Sequence, residues 1–111
     1  MIASDILRGH TDTIILARLM EGDSYGYIIN KTVQEKTKGA FEFKEATLYT
    51  TFRRLETAGL ITSYWGGEAT GARRRYYSIT ELGRETYAQN VRDWHSARDL
   101  IDTLIGLEGE A

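Results

Sequence analysis

The chain has 111 residues, 41% hydrophobic and 27% charged, which suits one globular domain and excludes a wholly disordered one. It has no cysteine, which removes disulfides and thiolate metal sites, and no proline, which leaves glycine to punctuate the chain. The formal net charge is −2, yet residues 40–76 carry +2 and residues 80–111 carry −4, so the middle of this acidic chain suits a polyanion that its C-terminal third would repel.

The opening stretch MIASDILRGHTD has no basic region followed by an apolar run, so no secretory signal is expected. The run TIILARLM is broken by Arg18 and falls far short of the roughly 20 apolar residues that span a bilayer. A cytoplasmic protein without membrane contact is expected. From Thr13 the spacing predicts a helix ending at Gly22, with Leu16, Leu19 and Met20 on one side. Ser24 is placed to cap a second helix, from Tyr25 to Lys38, that turns Ile28, Ile29, Thr32 and Val33 inward and stops at Gly39. AFEF, residues 40–43, reads as a short strand. A third helix is predicted from Glu45 to Ala58, where Leu48, Phe52 and Leu55 form a buried stripe and Gly59 closes the element. LITSYW then reads as a strand, GGEATGA as a turn and RRRYYSIT as the returning strand. Thr80 is expected to cap a long last helix with Glu81 and Glu85 near its start. Gly83 stands where a capping box would need a glutamate.

The predicted fold is mainly α with one β-hairpin. It is a winged helix-turn-helix over residues 1–79, followed by a C-terminal dimerisation helix over residues 80–111, in one compact unit. Such a layout lays a helix in the major groove and grips phosphates with the hairpin. On the third helix, Thr47, Tyr49, Thr50 and Arg53 lie opposite the apolar stripe, and Lys44 precedes it. Spacing alone suits a solvated face equally well. Arg54 turns towards the flank. At the hairpin tip, Arg73 and Arg74 are the expected phosphate or minor-groove contacts, with Arg75 pairing internally with a carboxylate. The alternative is a strand edge protected by charge. Tyr76 and Tyr77 are expected to pack within the strand. In the last helix, Val91, Trp94, Arg98, Ile101 and Ile105 step by three, four, three and four, the heptad pattern. Leu100, Leu104 and Leu107 widen that stripe, and nothing later in the sequence covers it. A homodimer held by Val91, Trp94, Ile101, Leu104 and Ile105 is expected.

EATLYTTFRRLETAGLITSYW and GARRRYYSITELG, with YGYIINK in the second helix, resemble the PadR family of bacterial transcriptional regulators. The likeness runs from about Leu7 to Leu104. It implies a homodimer that binds double-stranded DNA, at a palindromic operator, and represses nearby genes. The short C-terminus with Trp94 is similar to the small subfamily that includes multidrug-sensing repressors. In that subfamily the tryptophan faces its symmetry mate across a flat pocket for planar aromatic ligands. The resemblance then implies that Ile6, Gly9, Asp12, Thr13 and Leu16 line the pocket with Trp94, Arg98 and Ile101. Arg98 departs from the acidic or neutral residue common at its place, which favours neutral or anionic aromatics over cationic drugs.

Other chemistry finds little support. His10 and His95 are the only histidines and are too far apart in sequence to suggest a metal site. GGEATG lies in a hairpin rather than opening a helix, and no nucleophile–base set has a recognisable context. No cofactor or metal and no enzyme activity are expected. The competing reading is a winged-helix module that binds an acidic protein rather than DNA.

Overall fold

The computed structural model describes residues 3–67 and 73–107. Helix α1 (Ala3–Leu7) runs through a 3-10 turn (Arg8–His10) into α2 (Thr11–Met20), and α3 (Gly26–Lys36) and α4 (Glu45–Thr57) follow. Strands β1 (Ile61–Gly66) and β2 (Arg74–Ile79) pair antiparallel, and α5 (Glu81–Leu104) closes the described chain. The predicted order of three helices, hairpin and helix is present, with α1 and its turn added in front. Most of the predicted turn, residues 68–72, lies outside the described residues.

The core forms where four elements meet. Ile15, Leu16 and Leu19 of α2, Ile29 and Val33 of α3, Leu48, Phe52 and Leu55 of α4, and Ile61, Tyr77 and Ile79 of the hairpin are all buried. The α4 stripe is the one read from sequence. On α2 the inward residue is Ile15, and Met20 is exposed. An α-helix advances about 100° per residue, so residues 15, 16 and 19 cluster on one arc while residue 20 rotates off it.

Two local expectations are corrected. Ser24 does not cap α3: Tyr25 holds the N-cap position with no side-chain bond. The Ser24 backbone instead pairs with β2, its N–H donating to the Tyr77 carbonyl at 3.2 Å and its carbonyl accepting from Tyr77 N–H at 2.8 Å. AFEF forms no strand. Its alternation is real, since Phe43 is buried while Glu42 faces out and accepts from Gln34 at 2.7 Å. Its backbone meets a side chain rather than another strand. Asn30 Nδ2 donates to the Phe43 carbonyl and Asn30 Oδ1 accepts from Phe43 N–H, both at 2.8 Å. One amide thereby satisfies both polar groups of a buried residue.

Helix α5 is anchored at its first turn. Thr80 Oγ1 accepts from Gly83 N–H at 3.0 Å, the predicted cap, and donates to the Gly59 carbonyl at 2.7 Å. Gly83 is the one fully buried position in this 24-residue helix. A Cβ there would collide with the Leu60 carbonyl and reach within 2.7 Å of Ile79 Cγ1. Glycine is therefore needed for close backbone approach rather than for conformation. Beyond this anchor α5 packs along α2 and runs on, which gives the molecule extents of 55 × 30 × 22 Å. Gly83→Ala should lower the unfolding free energy by about 2–3 kcal/mol through overpacking, despite alanine's better helix propensity. Urea melts read this directly, and a variant as stable as the wild type would show that α5 is not seated as described.

Candidate nucleic-acid interface

Helix α4 divides sharply by face. Leu48, Thr51, Phe52 and Leu55 are buried, whereas Thr47, Tyr49, Thr50 and Arg53 are exposed together, with Lys44 exposed just before the helix. Among the described residues neither the Lys44 nor the Arg53 side chain has a hydrogen bond or ion pair, so both charges are open to a ligand. Tyr49 leans edge-on against Phe52 with ring centroids 5.8 Å apart. Its hydroxyl sits over the start of α3, where a Cβ at Gly26 would come within 3.3 Å of it. The phenol is thus held in place with part of its ring exposed. Arg54, expected on the flank, instead shares the face of Thr47 and Thr50: the three line one groove, and its guanidinium donates to Asp12 Oδ1 of α2 at 2.8 Å.

The hairpin separates its arginines by strand alternation. Arg73 and Arg75 share the face of Trp65, with their guanidinium carbons 4.7 and 5.6 Å from the indole centroid. Arg74 points the other way and lies 5.0 Å from the Tyr25 ring centroid, near the start of α3. Arg73 therefore groups with Arg75 rather than with Arg74. Arg75 also meets a carboxylate, Glu56 of α4, at 3.7 Å. Tyr76 stacks on Tyr64 and meets Tyr25 edge-on, while the buried Tyr77 ring stacks on Phe52 at 4.0 Å. Burial pushes the Tyr77 phenol above its ordinary pKa of 10.0. Tyr64 donates to Asp23 at 2.7 Å, and that bond raises its pKa as well.

Two further exposed residues extend this surface. Tyr27 and Lys31 of α3 line a groove with Glu45 and Tyr49. Their i, i+4 spacing, opposite Ile29 and Val33, was a readable signal that a search confined to the third helix and the hairpin passes over.

The predicted ligand residues divide between two places. An apolar hollow of about 290 Å³ is lined by Ile6, Leu7, His10, Thr13, Ile14, Val91 and Trp94. His10 stands edge-on to Trp94, with ring centroids 5.0 Å apart. Ile6, Thr13 and Trp94 were expected there; Leu7, His10 and Ile14 were not. Gly9 and Asp12 instead line a groove against Thr47 and Thr50 of α4. Leu16 is 0% exposed, in the core. Positions 9, 12 and 16 share one helical face, turned towards α4 and the core, while 10, 13 and 14 face the hollow. Arg98 and Ile101 lie farther along α5 and do not line the hollow of this single chain.

Among the described residues no helix is long and apolar enough to cross a membrane. Residues 15–89 match the model of the transcriptional regulator PadR-like family. The chain is 43% identical over 109 residues to a protein of Lysinibacillus sphaericus with no assigned function, covering 97% of this chain and 100% of that one. It is similar to the solved structure of a transcriptional regulator from Clostridium thermocellum, at 47% identity and a TM-score of 0.83, covering 90% of this chain and 97% of that one. A PadR family transcription regulator from hypervirulent Clostridium difficile matches at 32% identity and a TM-score of 0.74, covering 85% and 96%.

If the wing meets phosphate and α4 meets bases, two substitutions should separate the roles. Arg73→Ala should weaken binding to promoter and random duplexes alike and reduce the slope of log Kd against log salt by about one. Thr50→Ala should weaken the promoter duplex more than the random one. Fluorescence anisotropy titrations at several salt concentrations measure both, and an Arg73→Ala variant unchanged across salt would remove the wing from the interface.

Proposed function

The chain belongs to the PadR-like family of transcriptional regulators, and from that premise we propose that it is a homodimeric repressor relieved by a planar aromatic molecule bound between its protomers. The family places it among DNA-binding regulators and not among enzymes. Its site of action would be the cytoplasm, where the DNA is.

The observation that carries the dimer is the outer half of α5. Ile101 is 51% exposed and Leu104 81%, and Ile105, which caps the helix, is 65% exposed. A row of large aliphatic side chains left in water is destabilising, and a second copy of the same row would cover it. Two-fold pairing of this face with Val91 and Trp94 would present two copies of α4 and of the wing to one duplex. That symmetry fits a palindromic operator.

The effector reading rests on the hollow beside Trp94. In a dimer, the hollow would be extended by its symmetry copy, and Arg98 and Ile101 would approach it from the partner's side or from its rim. Its lining is apolar apart from His10 and Thr13, which suits a flat aromatic body, and Arg98 disfavours a cationic one. Helix α2 would carry the message. One of its faces lines the hollow through Thr13 and Ile14, with His10 just before it, and another bonds α4 through Asp12 and Arg54. A ligand that favours one setting of α2 would therefore bias the setting of α4, provided its affinity differs between the two.

A dye titration tests pocket and stoichiometry together. In a Trp65→Phe background, anthracene-9-carboxylate should quench Trp94 saturably, with one dye bound per two chains. By dye anisotropy, Trp94→Ala in that background should lose binding at least tenfold while keeping DNA affinity within about twofold, since stacked aromatic contacts of about 0.5–1.5 kcal/mol each would be removed. Equal dye affinity in the variant would leave Trp94 as a packing residue only.

A further inference from the structure

We propose that Trp65 is a positioning residue for DNA binding: its indole fixes the Arg73 and Arg75 side chains so that their in-plane N–H groups face the DNA backbone. Trp65 stands opposite Arg75 in the β1–β2 register and diagonal to Arg73, so all three side chains leave the same face of the hairpin. That face is the one that packs on α4. Nearer the core it carries Ser63, which donates to Glu56 at 2.7 Å, and Tyr77, which stacks on Phe52. The cluster therefore continues a rigid surface outward, on the side of the recognition helix.

The indole is half exposed and outside the core, so core packing alone does not account for it. What it does touch is two cations. Both guanidinium carbons lie within the roughly 6 Å over which an aromatic face attracts a cation. The guanidinium chemistry suits this use. Stacking engages the flat π-face of the group, whereas phosphate is bound by N–H donors lying in its plane. An arginine on an indole is thus restrained without losing the edge that grips an oxyanion. An unrestrained arginine must be ordered at the moment of binding, which weakens the complex. Glu56 meets Arg75 at 3.7 Å, longer than a hydrogen bond.

The inference rests on the wing meeting DNA, and the experiment separates the two. Trp65→Ala should weaken binding to random and promoter duplexes about fivefold, and Trp65→Leu should do the same, because leucine keeps apolar bulk without a π-face. Trp65→Phe should stay within about twofold of wild type. In an Arg73→Ala, Arg75→Ala background, Trp65→Ala should change affinity less than twofold, because nothing is left for the indole to position. Thermal melts of each variant check the fold, and Trp65→Leu serves if the alanine variant unfolds. If Trp65→Ala is as damaging without the arginines as with them, the indole contacts DNA or a fold element itself and positioning is wrong. If Trp65→Ala and Trp65→Leu bind like wild type while the double arginine variant is weak, the arginines act without the indole. Unchanged affinity in the double arginine variant removes the wing contact and this inference with it.

Discussion

Tyr77 is the point on which the geometry of α4 and the hairpin depends. Its backbone pairs with Ser63 on one side and with Ser24 on the other, so it ties β1 and the α2–α3 connection to a single strand. Its ring lies flat on Phe52, the fully buried centre of α4. A hairpin joined to a helix only through its loop could swing. Here the strand, α4 and the turn before α3 meet at one residue, and the hairpin is held at a fixed angle to α4. The stack contributes on the order of 1 kcal/mol beyond the area it buries, but its larger effect is directional. Phosphate contacts orient a protein on DNA only when they sit at fixed distances from the side chains that read bases.

That rigidity explains how an acidic protein serves as a DNA-binding one. The cations of residues 40–76 gather on or next to α4 and the hairpin, while α5 carries five carboxylates against three arginines. Helix α5 leaves the packed core after Gly83 and extends well beyond it. The formal charge of −2 therefore says little about the field at the contact surface, because exposed charges farther apart than about 8–10 Å are largely screened at physiological salt. Aromatic rings complete the arrangement: Tyr25 carries Arg74, and Trp65 carries Arg73 and Arg75.

Much of this was legible in the sequence because it is periodic. The α4 stripe of Leu48, Phe52 and Leu55, the alternation of the hairpin and the Thr80 cap all follow local rules and reappear in the structure. What was not legible depends on partners distant in sequence. Ser24 looks like an N-cap until Tyr77 takes its backbone, and AFEF looks like a strand until Asn30 supplies the bonds a neighbouring strand would have made. The hollow beside Trp94 takes only some of the residues expected to line a pocket there. Matching residues along the chain gave Ile6 and Thr13 but also Leu16, whereas the rotation of α2 selects His10 and Ile14 and sends Leu16 to the core. The separation of Arg73 from Arg74 was implicit in strand alternation. The Tyr25 ring beneath Arg74 was not, because Tyr25 lies 49 positions before Arg74 in the chain.

In the proposed complex, α4 and the wing engage one duplex as a single rigid head, twice per dimer. Hydroxyl-radical footprinting on the DNA upstream of the protein's own gene tests it most directly. A paired head should protect two symmetric half-sites about 10–10.5 base pairs apart, or a multiple of that, each with a backbone-protected flank contributed by the wing. Replacing Tyr77 with leucine, which keeps apolar volume but removes the stack, should blur the flanks before it blurs the half-site centres. A single asymmetric patch, or flanks as sharp in Tyr77→Leu as in the wild type, would contradict the rigid paired head.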